Sequence, residues 1–139
     1  MDKLIVAEKN SVAKAIAQYL AEGGYTLRRV GSVPVYFFKV NGEYWASMGL
    51  RGHILDFDFE HSYNNWNSVE PGKLLDLEPV MVIRGWDRPY VMALIELSKQ
   101  AKEVILALDS DVEGEAIAYE VMLVARLRKS TLRFRRALF

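Results

Sequence analysis

The chain has 139 residues, 51% hydrophobic and 26% charged, which suits a single domain over residues 1–139 with an ordinary apolar core. It contains no cysteine, so disulfides, thiolate metal sites and cysteine nucleophiles are excluded. The formal net charge of zero hides an asymmetry: residues 126–139 carry six basic side chains and no acid, leaving the preceding stretch at −6.

The first apolar run, Leu4 to Ala7, is too short for a signal peptide or a membrane span, so the expected location is the cytoplasm with no membrane partner. Lys3 to Ala7 has the short, β-branched character of a buried strand, and Glu8 follows it directly. Ser11 is a candidate helix cap. Val12, Ile16 and Leu20, with Ala13 and Ala17, repeat at helical spacing, and Gly23-Gly24 ends that helix. Two aromatic and β-branched runs, Val35 to Val40 and Glu43 to Met48, flank Asn41-Gly42, a type I′ hairpin signal. Leu50 to Phe59 mixes Gly, His and Asp and matches no template. Residues 60–79 are polar and broken, and predict a long loop. Trp45, Trp66 and Trp86 are expected to anchor core or loops. Pro79 to Arg84 predicts a short strand.

Regular texture then returns. Pro89 suits a helix first turn, and Val91, Leu94, Ile95 and Leu97 carry that helix to about Ala101. Val104 to Leu108 predicts a second buried strand, ending at Asp109. Gly114 to Leu127 predicts a helix with Ile117, Val121 and Val124 on one side, and Thr131 to Phe134 begins a last strand. Strand–helix alternation at both ends predicts an α/β fold: a parallel sheet flanked by helices, with the hairpin inserted or added antiparallel.

Ligands of open α/β sheets bind at the carboxyl ends of the strands. Two predicted buried strands end in acids, Glu8 and Asp109, and the fold class puts them at one sheet edge. Asp109, Asp111 and Glu113 place three carboxylates within five residues. Alternate residues of an extended turn point the same way, and a helix N-terminus tolerates a carboxylate. Such crowding favours a divalent cation, and an oxygen-only donor set suits Mg²⁺. The plain alternative is a solvated acidic turn capping a helix. Lys9, beside Glu8, could hold a phosphate or be an ordinary surface lysine. His53 alone suits a structural histidine. The basic tail, with Arg133, Arg135 and Arg136, could meet nucleic-acid phosphates or be a solvated helix end and strand.

Three segments carry a family resemblance. Leu4-Ile5-Val6-Ala7-Glu8-Lys9-Asn10-Ser11-Val12-Ala13-Lys14-Ala15-Ile16-Ala17 resembles the opening of type IA DNA topoisomerases, especially the topoisomerase III branch. Ala107-Leu108-Asp109-Ser110-Asp111-Val112-Glu113-Gly114-Glu115-Ala116-Ile117-Ala118 resembles the Toprim motif, Asp-x-Asp-x-Glu-Gly-Glu. Gly52-His53-Ile54-Leu55-Asp56, between them, resembles the family's Gly-His segment. Order and spacing match over essentially the whole chain. The resemblance implies a Toprim, Rossmann-like fold in an enzyme that cuts one DNA strand through a tyrosine, passes another and reseals. It implies Glu8 as metal ligand and proton carrier, Asp109 and Asp111 as Mg²⁺ ligands, and Glu113 as a supporting ligand. It implies Lys9 as a transition-state cation and His53 as an aid in orienting DNA or tyrosine. The implied partners are single-stranded DNA and the remaining domains of a parent topoisomerase.

Two departures stand out. Val112 occupies a position where many members have Arg, and none of the seven tyrosines lies in the family's Tyr-Pro-Arg-Thr-like context. The expectation is an N-terminal fragment of a longer enzyme, inactive by itself. The competing functions are a stand-alone Toprim nuclease using water and a non-catalytic DNA-binding module. A receiver-like fold would want a lysine at a late strand end, and the sequence shows none.

Overall fold

The computed structural model describes residues 1–58, 80–82, 87–127, 129 and 131–137. Over these the chain runs β1 (Lys3–Ala7), α1 (Asn10–Leu20), β2 (Thr26–Val30), β3 (Val33–Val40), β4 (Glu43–Gly49), β5 (Asp56–Asp58) and β6 (Val80–Val82). It continues with α2 (Arg88–Gln100), β7 (Glu103–Ala107), α3 (Val112–Arg126) and β8 (Arg133–Arg136). The expected loop over 60–79, Trp66 and Trp86 lie outside the described residues.

Six strands form one sheet in the order β2-β3-β4-β1-β7-β8. The pairings of β1 with β4 and β7, and of β7 with β8, are parallel; β2 and β3 extend the sheet antiparallel. The expected parallel α/β sheet is therefore present. The hairpin is an addition only in part, because its second strand, β4, is a parallel neighbour of β1. Asn41 at φ 50° and Gly42 at φ 81° form its turn, as a type I′ turn requires. β5 and β6 make a separate antiparallel pair.

Strand alternation sends side chains to both faces, and both are covered. Leu4 and Val6 of β1, with Val104 and Leu106 of β7, pack with Val91, Leu94 and Leu97 of α2 and Ile117, Val121 and Val124 of α3. Ile5, Ala7 and Ala107 face the other way, with Ala13 and Ala17 of α1 and Tyr36 and Phe38 of β3. α1 begins at Asn10 behind Lys9, and no side chain caps it. Ser11 thus lies inside the first turn rather than at the cap. The start of α1 is instead fixed by tertiary contacts, with Tyr36 Oη donating to Asn10 Oδ1 at 2.9 Å and Ser47 Oγ to the Ala13 carbonyl at 2.9 Å. Among the described residues no helix is long and apolar enough to cross a membrane.

From β1 the chain leaves through α1 and returns to β1 on one side as β4; on the other side β1 is flanked by β7, which is reached from α2. The strand order therefore reverses at β1, and the carboxyl ends of β1 and β7 stand at the usual ligand position of such sheets.

Candidate metal centre

Ala7 and Ala107 are partners in the register of β1 and β7, so Glu8 and the Leu108–Asp109 segment emerge side by side at the strand ends. Glu8 is half-buried. Burial pushes its carboxyl above the ordinary carboxylate range, and the Asp109 charge, a hydrogen bond shared with Asp109, and the charges of Glu113 and Asp111 push the same way. Three acids of the 109–113 turn thus act on Glu8, about a hundred residues earlier in the sequence.

Two glycines make this approach possible. At Gly114, in the first turn of α3, an added Cβ would lie 1.7 Å from the Asp109 carbonyl oxygen. The helix start is therefore pressed directly against the acid-bearing turn. At Gly49, the end of β4, a Cβ would lie 2.2 Å from the backbone of Lys9 and Asn10. Leu50 N–H donates to the Ala7 carbonyl at 3.0 Å, and Lys9 bridges Arg51, so this segment runs along the Glu8–Lys9 turn.

Asp111 caps α3: its Oδ1 accepts from Gly114 N–H at 2.7 Å. Glu113 and Glu115 occupy the first helical turn, where the dipole favours acids. Asp111→Ala should cost about 1 kcal/mol of stability through loss of the cap. Asp111→Ser should keep most of that stability, because a hydroxyl also caps. Thermal denaturation of both variants checks this, and Mg²⁺ titration of the serine variant reads the carboxylate separately from the cap.

His53 stands beside the acids, its Nε2 3.7 Å from Glu113 Oε1. Its Nδ1 lies 2.5 Å from Oε2 of Glu120, a buried residue of α3 that the sequence did not single out. The available signal was its position on the apolar stripe, three residues after Ile117 and four before Val124. Lys9 is exposed at the amino end of α1. Val112, in the first turn of α3, is 88% exposed, so nothing apolar covers it.

The basic tail divides. Arg136, at the carboxyl end of β8, reaches the acidic turn: its Nη2 donates to the Asp109 carbonyl at 3.2 Å and pairs with Glu115 at 2.6 Å. Arg135 pairs with Glu103 at 3.4 Å, and Arg133 stands in register with Glu103 at the opposite end of the sheet. Arg126 stacks on Phe134 at 4.8 Å, and Lys129 donates to the Ala101 carbonyl. Arg128 lies outside the described residues. The structure therefore gathers Glu8, Asp109, Asp111, Glu113, His53 and Arg136, but leaves Arg133 and Arg135 away from them.

Among the described residues no group of three or more acids or histidines stands close enough, as the side chains lie, to hold a metal ion. The acids at this edge offer hard oxygens, and Glu8 holds its proton more tightly because of burial and, after it, its acidic neighbours. Carboxylate oxygens of this kind have the chemistry that hard divalent cations take.

The Toprim domain family model matches residues 3–137. The chain is 35% identical over 133 residues to DNA topoisomerase 1 of Archaeoglobus fulgidus, covering 96% of this chain and 19% of that protein. It is 34% identical over 143 residues to DNA topoisomerase 3-alpha of Arabidopsis thaliana, covering 98% of this chain and 15% of that protein. The Drosophila melanogaster DNA topoisomerase 3-alpha is 35% identical over 146 residues, covering all of this chain and 12% of that protein. The chain thus spans less than a fifth of the length of each.

Proposed function

Because the chain belongs to the Toprim domain family, we propose that it forms the metal-binding half of the active site of a type IA DNA topoisomerase, which cleaves, passes and religates single DNA strands. One observation carries this reading: adjacent parallel strands, in register at Ala7 and Ala107, bring Glu8 to the same sheet edge as the acids of the 109–113 turn. A structural acidic turn has no need of a fourth carboxylate held against it from the other end of the sequence. The topoisomerase relatives supply the class of reaction.

In this reading Asp109, Asp111 and Glu113, with Glu8, hold Mg²⁺. The ion would supply charge neutralisation for a DNA phosphate. Glu8 has a second task. Its raised proton affinity suits a group that holds a proton at its carboxyl oxygen and passes it to or from a neighbouring oxygen. Lys9, exposed next to Glu8, offers a cation for a single-stranded DNA phosphate. Arg136 holds the Asp109 carbonyl and Glu115, which orients the acidic turn. Arg133 and Arg135 would meet DNA only along the outer edge of the sheet. The nucleophile comes from the remaining domains of the parent enzyme.

The test has two arms. Titrating the chain with Mg²⁺ should move the amide resonances of Glu8 and Asp109 to Gly114 first, and Asp109→Ala should abolish the response. Incubated with supercoiled DNA and Mg²⁺, the chain should leave the DNA unrelaxed. Relaxation by the chain alone would refute the half-site reading. Mg²⁺-dependent nicking lost in Asp109→Ala would replace it with a nuclease. Salt-sensitive DNA affinity indifferent to Mg²⁺ and weakened by Arg135→Ala would replace it with a binding module.

A further inference from the structure

Glu120 is 3% exposed on the apolar face of α3. A carboxylate there persists only if its hydrogen-bonding capacity is met. Its Oε1 accepts from the backbone N–H groups of Ile54 at 3.0 Å and Leu55 at 2.8 Å, and its Oε2 meets His53 Nδ1 at 2.5 Å. All three contacts are to consecutive residues of one segment, 53–55. Glu120 therefore fastens that segment to the helix whose first turn carries Glu113. The other ring nitrogen of His53 lies 3.7 Å from Glu113 Oε1, on the side of the acids.

We infer that Glu120 is a positioning residue: it holds the 53–55 segment against α3 and the Nδ1–H of His53, so that Nε2 is the ring nitrogen presented to the acidic cluster. A carboxylate only accepts hydrogen bonds, so a neutral His53 ring keeps its proton on Nδ1. Its Nε2 then offers a lone pair beside the Glu113 carboxylate. The identity of the cluster as a metal site belongs to the proposed function and is the part of this inference that rests on it. The Glu120–His53 link stands on the distances alone.

The test is ring ¹⁵N NMR of His53 in the full chain, at a pH where the ring is neutral. Nδ1 should show the protonated-nitrogen shift and Nε2 the lone-pair shift. In Glu120→Gln the side-chain carbonyl can still accept from Ile54 and Leu55, while the amide N–H turns toward Nδ1. The two ring signatures should then exchange, with the Ile54 and Leu55 amides still protected from hydrogen exchange. A proton on Nε2 in the unsubstituted chain would overturn the proposal, and that measurement needs no variant to fold. Unexchanged signatures in a folded Glu120→Gln would overturn it as well. Added Mg²⁺ separates this idea from the metal reading. A silent titration with Nδ1–H intact counts against the metal site and supports the role of Glu120. A responsive cluster with Nε2–H does the reverse.

Discussion

Gly114→Ala should lower the unfolding free energy by about 2 kcal/mol, the middle of the range for forcing extra atoms into a packed site. For a chain of this size that is a fall in Tm of roughly 8 °C. The sign runs against helix propensity, since alanine in place of glycine within a helix ordinarily gains up to about 1 kcal/mol. Here the new Cβ would lie 1.7 Å from the Asp109 carbonyl oxygen and 2.7 Å from its carbonyl carbon. Neither atom belongs to a flexible side chain, so either the helix start or the acidic turn must move. Movement of the turn shifts Asp109 relative to Glu8. The variant should therefore lose its Mg²⁺ response even at temperatures where it remains folded. Thermal denaturation together with Mg²⁺ titration checks both halves. An alanine variant as stable as the original and equally responsive would mean that the contact between α3 and Asp109 relaxes at no cost.

The Gly-Glu part of the acidic motif is thus a packing requirement that sequence alone expressed only as a pattern. Much else was legible for simple reasons. The runs at β1 and β7 are apolar because both of their faces are covered, and the acids that end them share one sheet edge because the strands are parallel neighbours. What stayed hidden depended on partners distant in sequence. β2 escaped because Thr26 to Arg29 are exposed and carry no alternating pattern; pairing with β3 makes it a strand. The Asn41-Gly42 turn announced a hairpin but not that β4 would lie parallel to β1, since a turn fixes only the local partner. Arg135 and Arg136 looked alike as members of a basic run. Alternation along β8 sends one to Glu103 and the other to the acidic turn.

Glu8→Gln should stabilise the metal-free chain while removing its response to Mg²⁺. Clustered acids carry unfavourable charge that folding alone would discard, and relieving it typically gains between about 0.5 and 2 kcal/mol. Glu8 is only half-buried, so solvent screening places the gain at the lower end, about 0.5–1 kcal/mol. Glutamine can still donate to Asp109, which preserves the local hydrogen bond without the second charge. The pH dependence follows from the raised proton affinity of Glu8 in the folded state. Below the ordinary value of 4.5 the group is protonated in folded and unfolded chains alike, and its contribution to stability is fully present. As pH rises through the elevated folded value, the folded chain must release a proton that the unfolded chain has already lost, and that contribution disappears. The advantage of Glu8→Gln should accordingly be small at pH 4 and grow toward neutrality. Under the proposed function Mg²⁺ should reverse the order of the two proteins at neutral pH: an ion present at a hundred times its dissociation constant adds about 2.7 kcal/mol to whichever chain binds it. Melting curves of the two should therefore cross as Mg²⁺ is raised, with Glu8→Gln the more stable without the ion and the original chain the more stable with it. Parallel responses to Mg²⁺ would remove Glu8 from the metal site, and a variant less stable in the absence of the ion would show that the acids at the ends of β1 and β7 are held together by something stronger than their mutual repulsion.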